Sequence, residues 1–185
     1  MPEVGAPSPL LLLPPVAQAN ALFVEWERRT QPSGFNYVQA RPALLLMLQK
    51  ICRLLQQRAA ATLDAETVRD LLAGSQKFSF SQSCSSGPGR ASAVLQDALA
   101  GLAPRWQAAP RFERVLLHLS SSVLAPLQAG ELEEMTEFVR PFLDEGGEII
   151  TGHHELAASS DSSLNILLLV GYSAASDRNS AQNER

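Results

Sequence analysis

Three apolar runs decide the fold: Val115-Leu116-Leu117-His118-Leu119, Glu148-Ile149-Ile150-Thr151-Gly152 and Leu164-Asn165-Ile166-Leu167-Leu168-Leu169-Val170. Each is short and has almost no polar alternation, the pattern of strands covered on both faces. Upstream, Phe78-Ser79-Phe80-Ser81 supplies a fourth strand and Ser85-Ser86-Gly87-Pro88-Gly89 a turn. From Arg90 to Leu102, residues Ala91, Val94, Leu95, Ala98, Leu99 and Leu102 follow the i, i+3, i+4, i+7 template of a one-sided helix. A second helix is expected from Gly130 to Leu143, with Leu132, Met135, Phe138, Val139, Phe142 and Leu143 on one stripe. Glu133, Glu134, Thr136, Glu137 and Arg140 lie opposite, and Gly146-Gly147 reads as its C-terminal stop. Strands and helices thus alternate as β-α-β-α-β-β, which predicts an α+β domain with a four-stranded mixed sheet covered by helices.

Working outward, residues 42–60 form a helical pattern preceded by a second helical segment. Stepping about 100° per residue puts Leu44, Leu45, Met47, Leu48, Ile51, Cys52, Leu54 and Leu55 in an arc about half the circumference wide. Leu46 alone falls on the polar side, and Pro42 suits a first helical turn. So wide an arc needs two neighbours, and the segment with Ala21, Leu22, Val24 and Trp26 is the candidate for one of them. The expected organisation is a disordered 1–9, an N-terminal helical arm over 10–62, the mixed domain over 63–173 and a polar, disordered 174–185.

The 185 residues hold one sizeable core with an appendage. A formal charge of −4 gives no electrostatic footprint for nucleic acid or an anionic membrane. The apolar run Leu10–Leu13 is far too short to span a bilayer, and a chain of this size with two unpaired-looking cysteines, Cys52 and Cys84, is expected in the cytoplasm. Both thiols are expected to be inert and partly buried.

The chemistry-bearing residues read mostly as structural. The Ser85–Gly89 turn could hold an anion at a helix N-terminus, but glycine-dependent turning is the better account, and Arg90 reads as a solvated first-turn residue. In His153-His154-Glu155, adjacent histidines on an extended strand would face opposite ways, so a strand-end loop is preferred to a metal site. His118 reads as a hydrogen-bonded histidine of the core or sheet face, and Trp26 and Trp106 as covers over the core. No GxGxxG, Walker A, HExxH or GxSxG motif is present, and no metal or cofactor is expected.

The order of these words resembles the C-terminal domain of the FtsZ/tubulin superfamily. In that family a long central helix leads through an Asn-Leu-Asp-x-x-Asp-like loop into a helix and a strand. A Ser/Gly-rich turn with an Arg-Ala helix start and three further strands follow. Here helix 42–60 precedes Thr62-Leu63-Asp64-Ala65-Glu66-Thr67-Val68, and Ser86-Gly87-Pro88-Gly89-Arg90-Ala91 follows the first strand. The family's GGGTGTG-like phosphate loop is missing, so the resemblance implies a chain that lacks the GTP-binding domain and does not bind GTP alone. In the family the loop's carboxylates reach the nucleotide of the next subunit in a filament. Position by position, Thr62 stands for Asn, Leu63 and Asp64 are retained, and Thr67 replaces the second Asp, with Glu66 one residue away. A hydroxyl is no general base near neutral pH, so one of two carboxylates is lost.

The resemblance implies a non-catalytic, truncated FtsZ-like protein that binds a tubulin-superfamily subunit and regulates or caps its filament, with self-association also open. Its contact residues would be Thr62, Leu63, Asp64, Glu66 and Thr67. The alternative is the C-terminal half of a split GTPase supplying Asp64 in trans to a separate nucleotide-binding subunit. A third reading is a domain recruited to ligand or scaffold duty.

Overall fold

The computed structural model describes residues 13–31, 35–57, 65–75, 77–102, 111–156 and 162–172. The ends 1–9 and 174–185, the loop residues Thr62, Leu63 and Asp64, and Trp106 lie outside them. Two compact units divide between Ala73 and Gly74.

In the first unit, α1 (Pro15–Thr30), α2 (Phe35–Gln57) and α3 (Ala65–Gly74) follow one another. Helix α1 opens with Pro15 where a missing N–H costs nothing, and its last turn carries Arg28 and Arg29 beside the orphan carbonyls. It buries Ala19, Leu22, Phe23 and Trp26, while Val24, expected inside, is 58% exposed. Helix α2 buries Met47, Leu48, Ile51 and Cys52 and leaves Leu46 outward, as the periodicity requires. It starts earlier than expected, however, and Pro42 lies inside it. A proline there removes one i→i−4 hydrogen bond. Arg41 forms a two-pronged pair with Glu27 of α1, at 2.6 and 3.0 Å, and its guanidinium lies 5.1 Å from the Phe23 ring centroid.

The second unit is the predicted four-stranded mixed sheet. Strands β1 (Lys77–Ser86), β2 (Phe112–Ser122), β3 (Leu143–Leu156) and β4 (Ser163–Tyr172) lie in the order β1-β4-β2-β3. Strand β4 runs antiparallel to both β1 and β2. Strands β2 and β3 are parallel and therefore need a crossover, which α5 (Ala129–Val139) supplies. Helix α4 (Arg90–Leu102) connects β1 to β2. Helices α4 and α5 share one core with the inward residues of that sheet face, among them Val115, Leu117, Leu119, Ile166, Leu168 and Val170. On the opposite face Leu116, Leu167 and Leu169 are buried as well, which explains why β2 and β4 read as unbroken apolar runs.

Two boundaries differ from expectation for local reasons. Helix α5 stops at Val139, and Arg140–Phe142 forms a 3-10 turn containing Pro141, so β3 begins at Leu143. Proline, lacking its N–H, ends the helix there. The Gly146-Gly147 pair is consequently not a helix stop but part of β3, where the β2–β3 register shifts between Phe112 and Arg114. Gly146 has φ +80, and a Cβ on Gly147 would stand 2.9 Å from the Phe112 carbonyl oxygen. Gly147→Ala should therefore cost about 1–3 kcal/mol by forcing backbone apart, read as a lowered urea midpoint with an unchanged slope.

Candidate functional site

Of the five residues expected to form a contact loop, the structure describes Glu66 and Thr67, both half-buried in the first turn of α3. The helix starts at Ala65. Glu66 sits at the positive end of the helix dipole and pairs with Arg69 one turn on, at 2.8 Å. Its Oε1 is buried with no hydrogen-bond partner among the described residues. At the other end of α3, Arg29 of α1 donates to the Leu72 carbonyl, satisfying an orphan acceptor of the last turn. The cleft between these helices, lined by Leu22, Trp26, Arg29, Arg69 and Leu72, has room for about one water molecule and no nucleotide.

In the sheet unit, Arg90 is not the solvated residue that its sequence suggests. Its side chain is 8% exposed, and all five guanidinium donors are used. Two go to Glu131 of α5 at 2.7 and 2.9 Å, and three to the carbonyls of Ala125, Pro126 and Ser162 at 2.9–3.0 Å. Glu131 also accepts from the Gln128 amide at 2.9 Å, closing the start of α5. The Arg90 guanidinium holds the Glu131 carboxyl below its usual range, and Glu131 in turn raises the Arg90 pKa. This is a structural clamp with no donor left for a ligand. The preceding turn is likewise structural, with Gly87 at φ 81 and Gly89 at φ 71.

The histidines lie within the sheet, not in a strand-end loop. His153 and His154 do face opposite ways. His153 Nε2 meets Ser121 Oγ at 2.8 Å, and that oxygen also accepts the Leu127 amide hydrogen at 3.1 Å. His154 turns to the other face and stacks on His118, with ring centroids 5.0 Å apart and planes 24° from parallel. Neither ring nitrogen of His118 has a hydrogen-bond partner among the described residues, contrary to the expectation of a bonded histidine. Burial, and then repulsion from His154 and His153, push the His118 pKa down to about 4. Burial also lowers that of His153.

Cys52 is buried, and burial pushes its thiol up to about 12, which leaves it without nucleophilic character. Cys84, expected to be partly buried, is exposed. Among the described residues no three His, Cys, Asp or Glu side chains are grouped to hold a metal. None of the described helices is long and apolar enough to cross a membrane.

No protein-family model and no curated protein matches the chain. Among solved structures it is similar to a mutant FtsZ from M. jannaschii, with a TM-score of 0.55 at 17% identity, over 76% of this chain and 42% of that one. An empty FtsZ dimer from M. jannaschii gives 0.56 at 16% identity, over 80% and 43%. The chain thus spans less than half the length of the FtsZ structures it matches. At such identities the likeness is one of fold. The four-stranded mixed sheet and its helices have a fold like that of FtsZ.

Proposed function

We propose that the chain works by contact with a tubulin-superfamily subunit, docking through Thr62, Leu63, Asp64, Glu66 and Thr67 to regulate or cap a filament. The observation that carries this reading is the FtsZ-like fold, in which residues 62–67 lead into α3. An FtsZ-like fold fills most of this chain yet corresponds to only 42–43% of FtsZ, and these residues include no glycine-rich phosphate loop. Residues 62–67 supply a contact segment, and the 185 residues contain no glycine-rich phosphate loop, so these residues offer a contact at a filament end without a nucleotide site. The Arg69 partner of Glu66 supports the reading by fixing one carboxylate at the start of α3 beside the loop.

The split-GTPase alternative rests on the retained Asp64 and differs in one measurable consequence. It requires GTP turnover to appear when the chain meets a separate nucleotide-binding subunit that is inactive alone. The contact reading requires no such gain.

Sedimentation-velocity ultracentrifugation with the FtsZ-type protein of the same cell tests the docking. A complex is expected for the wild type and for Glu137→Lys, an exposed change on α5 that should alter stability by less than about 0.5 kcal/mol. Asp64→Arg should abolish it through charge reversal at the contact. Equal complex formation by all three would remove the loop from the account.

A further inference from the structure

The pair of helices α1 and α2 buries one side and leaves large aliphatic side chains on the other. On α1, Val16, Asn20 and Val24 are exposed and, at about 100° per residue, lie within about 80° of arc. On α2, Val38, Pro42 and Leu46 repeat the same spacing and are exposed as well. Val16, Val24, Val38 and Leu46 are 45, 58, 66 and 55% exposed, and they make up half of the large hydrophobic residues left in water among the described residues. Glu27 and Arg41, each three positions beyond a valine of its stripe, form the ion pair that joins α1 to α2, so the two stripes adjoin on one face. A concentrated apolar face of this kind marks a contact surface.

We propose that this face docks on the same face of a second copy of the chain, about a two-fold axis passing beside Asn20. The asparagine selects the occupant. In an apolar groove of an unrelated protein its amide would give up water and gain no partner. Opposite its own copy on a two-fold axis, each carboxamide donates to the other's oxygen, as a buried asparagine does between paired helices. Charge agrees with this choice, because Glu27 and Arg41 neutralise each other between the stripes and give identical faces no net charge to oppose. The chain's net charge of −4 gives an anionic membrane no attraction. The 16 residues of α1 span about 24 Å and two helices side by side about 20 Å, so two such faces together cover about 1,000 Å². That reaches the lower bound of specific interfaces, and it corresponds to a reversible dimer with a dissociation constant in the micromolar range. The contact is separate from the 62–67 segment, and either can fail without the other.

The test is sedimentation equilibrium of the full chain over about 1–200 µM. The wild type should pass from monomer to dimer across that range. Val24→Glu and Leu46→Glu, both at exposed positions and checked for folding by circular dichroism, should each weaken association at least about tenfold, whereas Glu137→Lys on α5 should leave it unchanged. With the exposed Cys84 replaced by serine, Asn20→Cys should form a disulfide between copies on oxidation, and Gln96→Cys on α4 should not. A chain that stays monomeric at the highest concentration overturns the proposal and leaves the face to a different protein. Dimers undiminished in both glutamate variants, or no disulfide at position 20, overturn it as well.

Discussion

Arg90→Ala should lower the unfolding free energy by about 2–4 kcal/mol, the cost of leaving a half-buried carboxylate and three carbonyls without their donor. The effect is large because one side chain serves three segments. It anchors the start of α4 to Glu131 at the start of α5, and it satisfies carbonyls on the β2–α5 connection and on the residue before β4. Lysine cannot replace a planar five-donor fork, so Arg90→Lys should recover only a minor part of the loss. Glu131→Gln should cost less than Arg90→Ala, since an amide still accepts from the guanidinium. Because Glu131 has a depressed pKa in the fold, its share of the stability is complete above the ordinary carboxylate range and fades as acid protonates it. Urea unfolding of the three variants at neutral pH checks the order, and an Arg90→Ala midpoint equal to the wild type would contradict the clamp.

The second large effect is a loss of stability in mild acid from His118. An unfolded chain takes up this proton near pH 6.5, while the folded protein refuses it until about 4. Between those values the unfolded state binds more protons, so stability falls as pH falls through the window and levels off below it. The full effect is about 3 kcal/mol. The groups in direct contact include His154, whose own protonation would repel a charged His118 across the stack. His153, on the other face, shifts in the same direction and adds a slope of the same sign. His118→Leu should flatten the stability profile between pH 6.5 and 4 while leaving the part due to His153. An unchanged slope in that variant would assign the acid sensitivity elsewhere.

Elements set by local periodicity were legible in the sequence. All six α4 residues chosen by spacing are buried, and the apolar runs of β2 and β4 are strands with both faces covered. Features that depend on distant residues were not. Arg90 looks solvated because its partners lie 35 to 72 residues further along the chain, and nothing within one helical turn reveals them. Pro42 suggests a helix start by local rules, yet α2 begins at Phe35 and continues through it. Gly146-Gly147 fits a helix stop as well as it fits a strand irregularity. The close approach of the Phe112 carbonyl, a non-local fact, decides between them. The opposed directions of His153 and His154 followed from strand geometry alone, whereas the meeting of His154 with His118 required the parallel register of β2 and β3.

The central functional claim is that this chain docks through its 62–67 segment and ends a filament. It is tested most directly by polymer length and GTP turnover of the partner FtsZ-type protein, followed together by electron microscopy and phosphate release. Substoichiometric wild-type chain should shorten the polymers and reduce turnover. Asp64→Arg should do neither, and Glu137→Lys should act as the wild type does. Polymers of unchanged length and undiminished turnover at equimolar chain would contradict the claim.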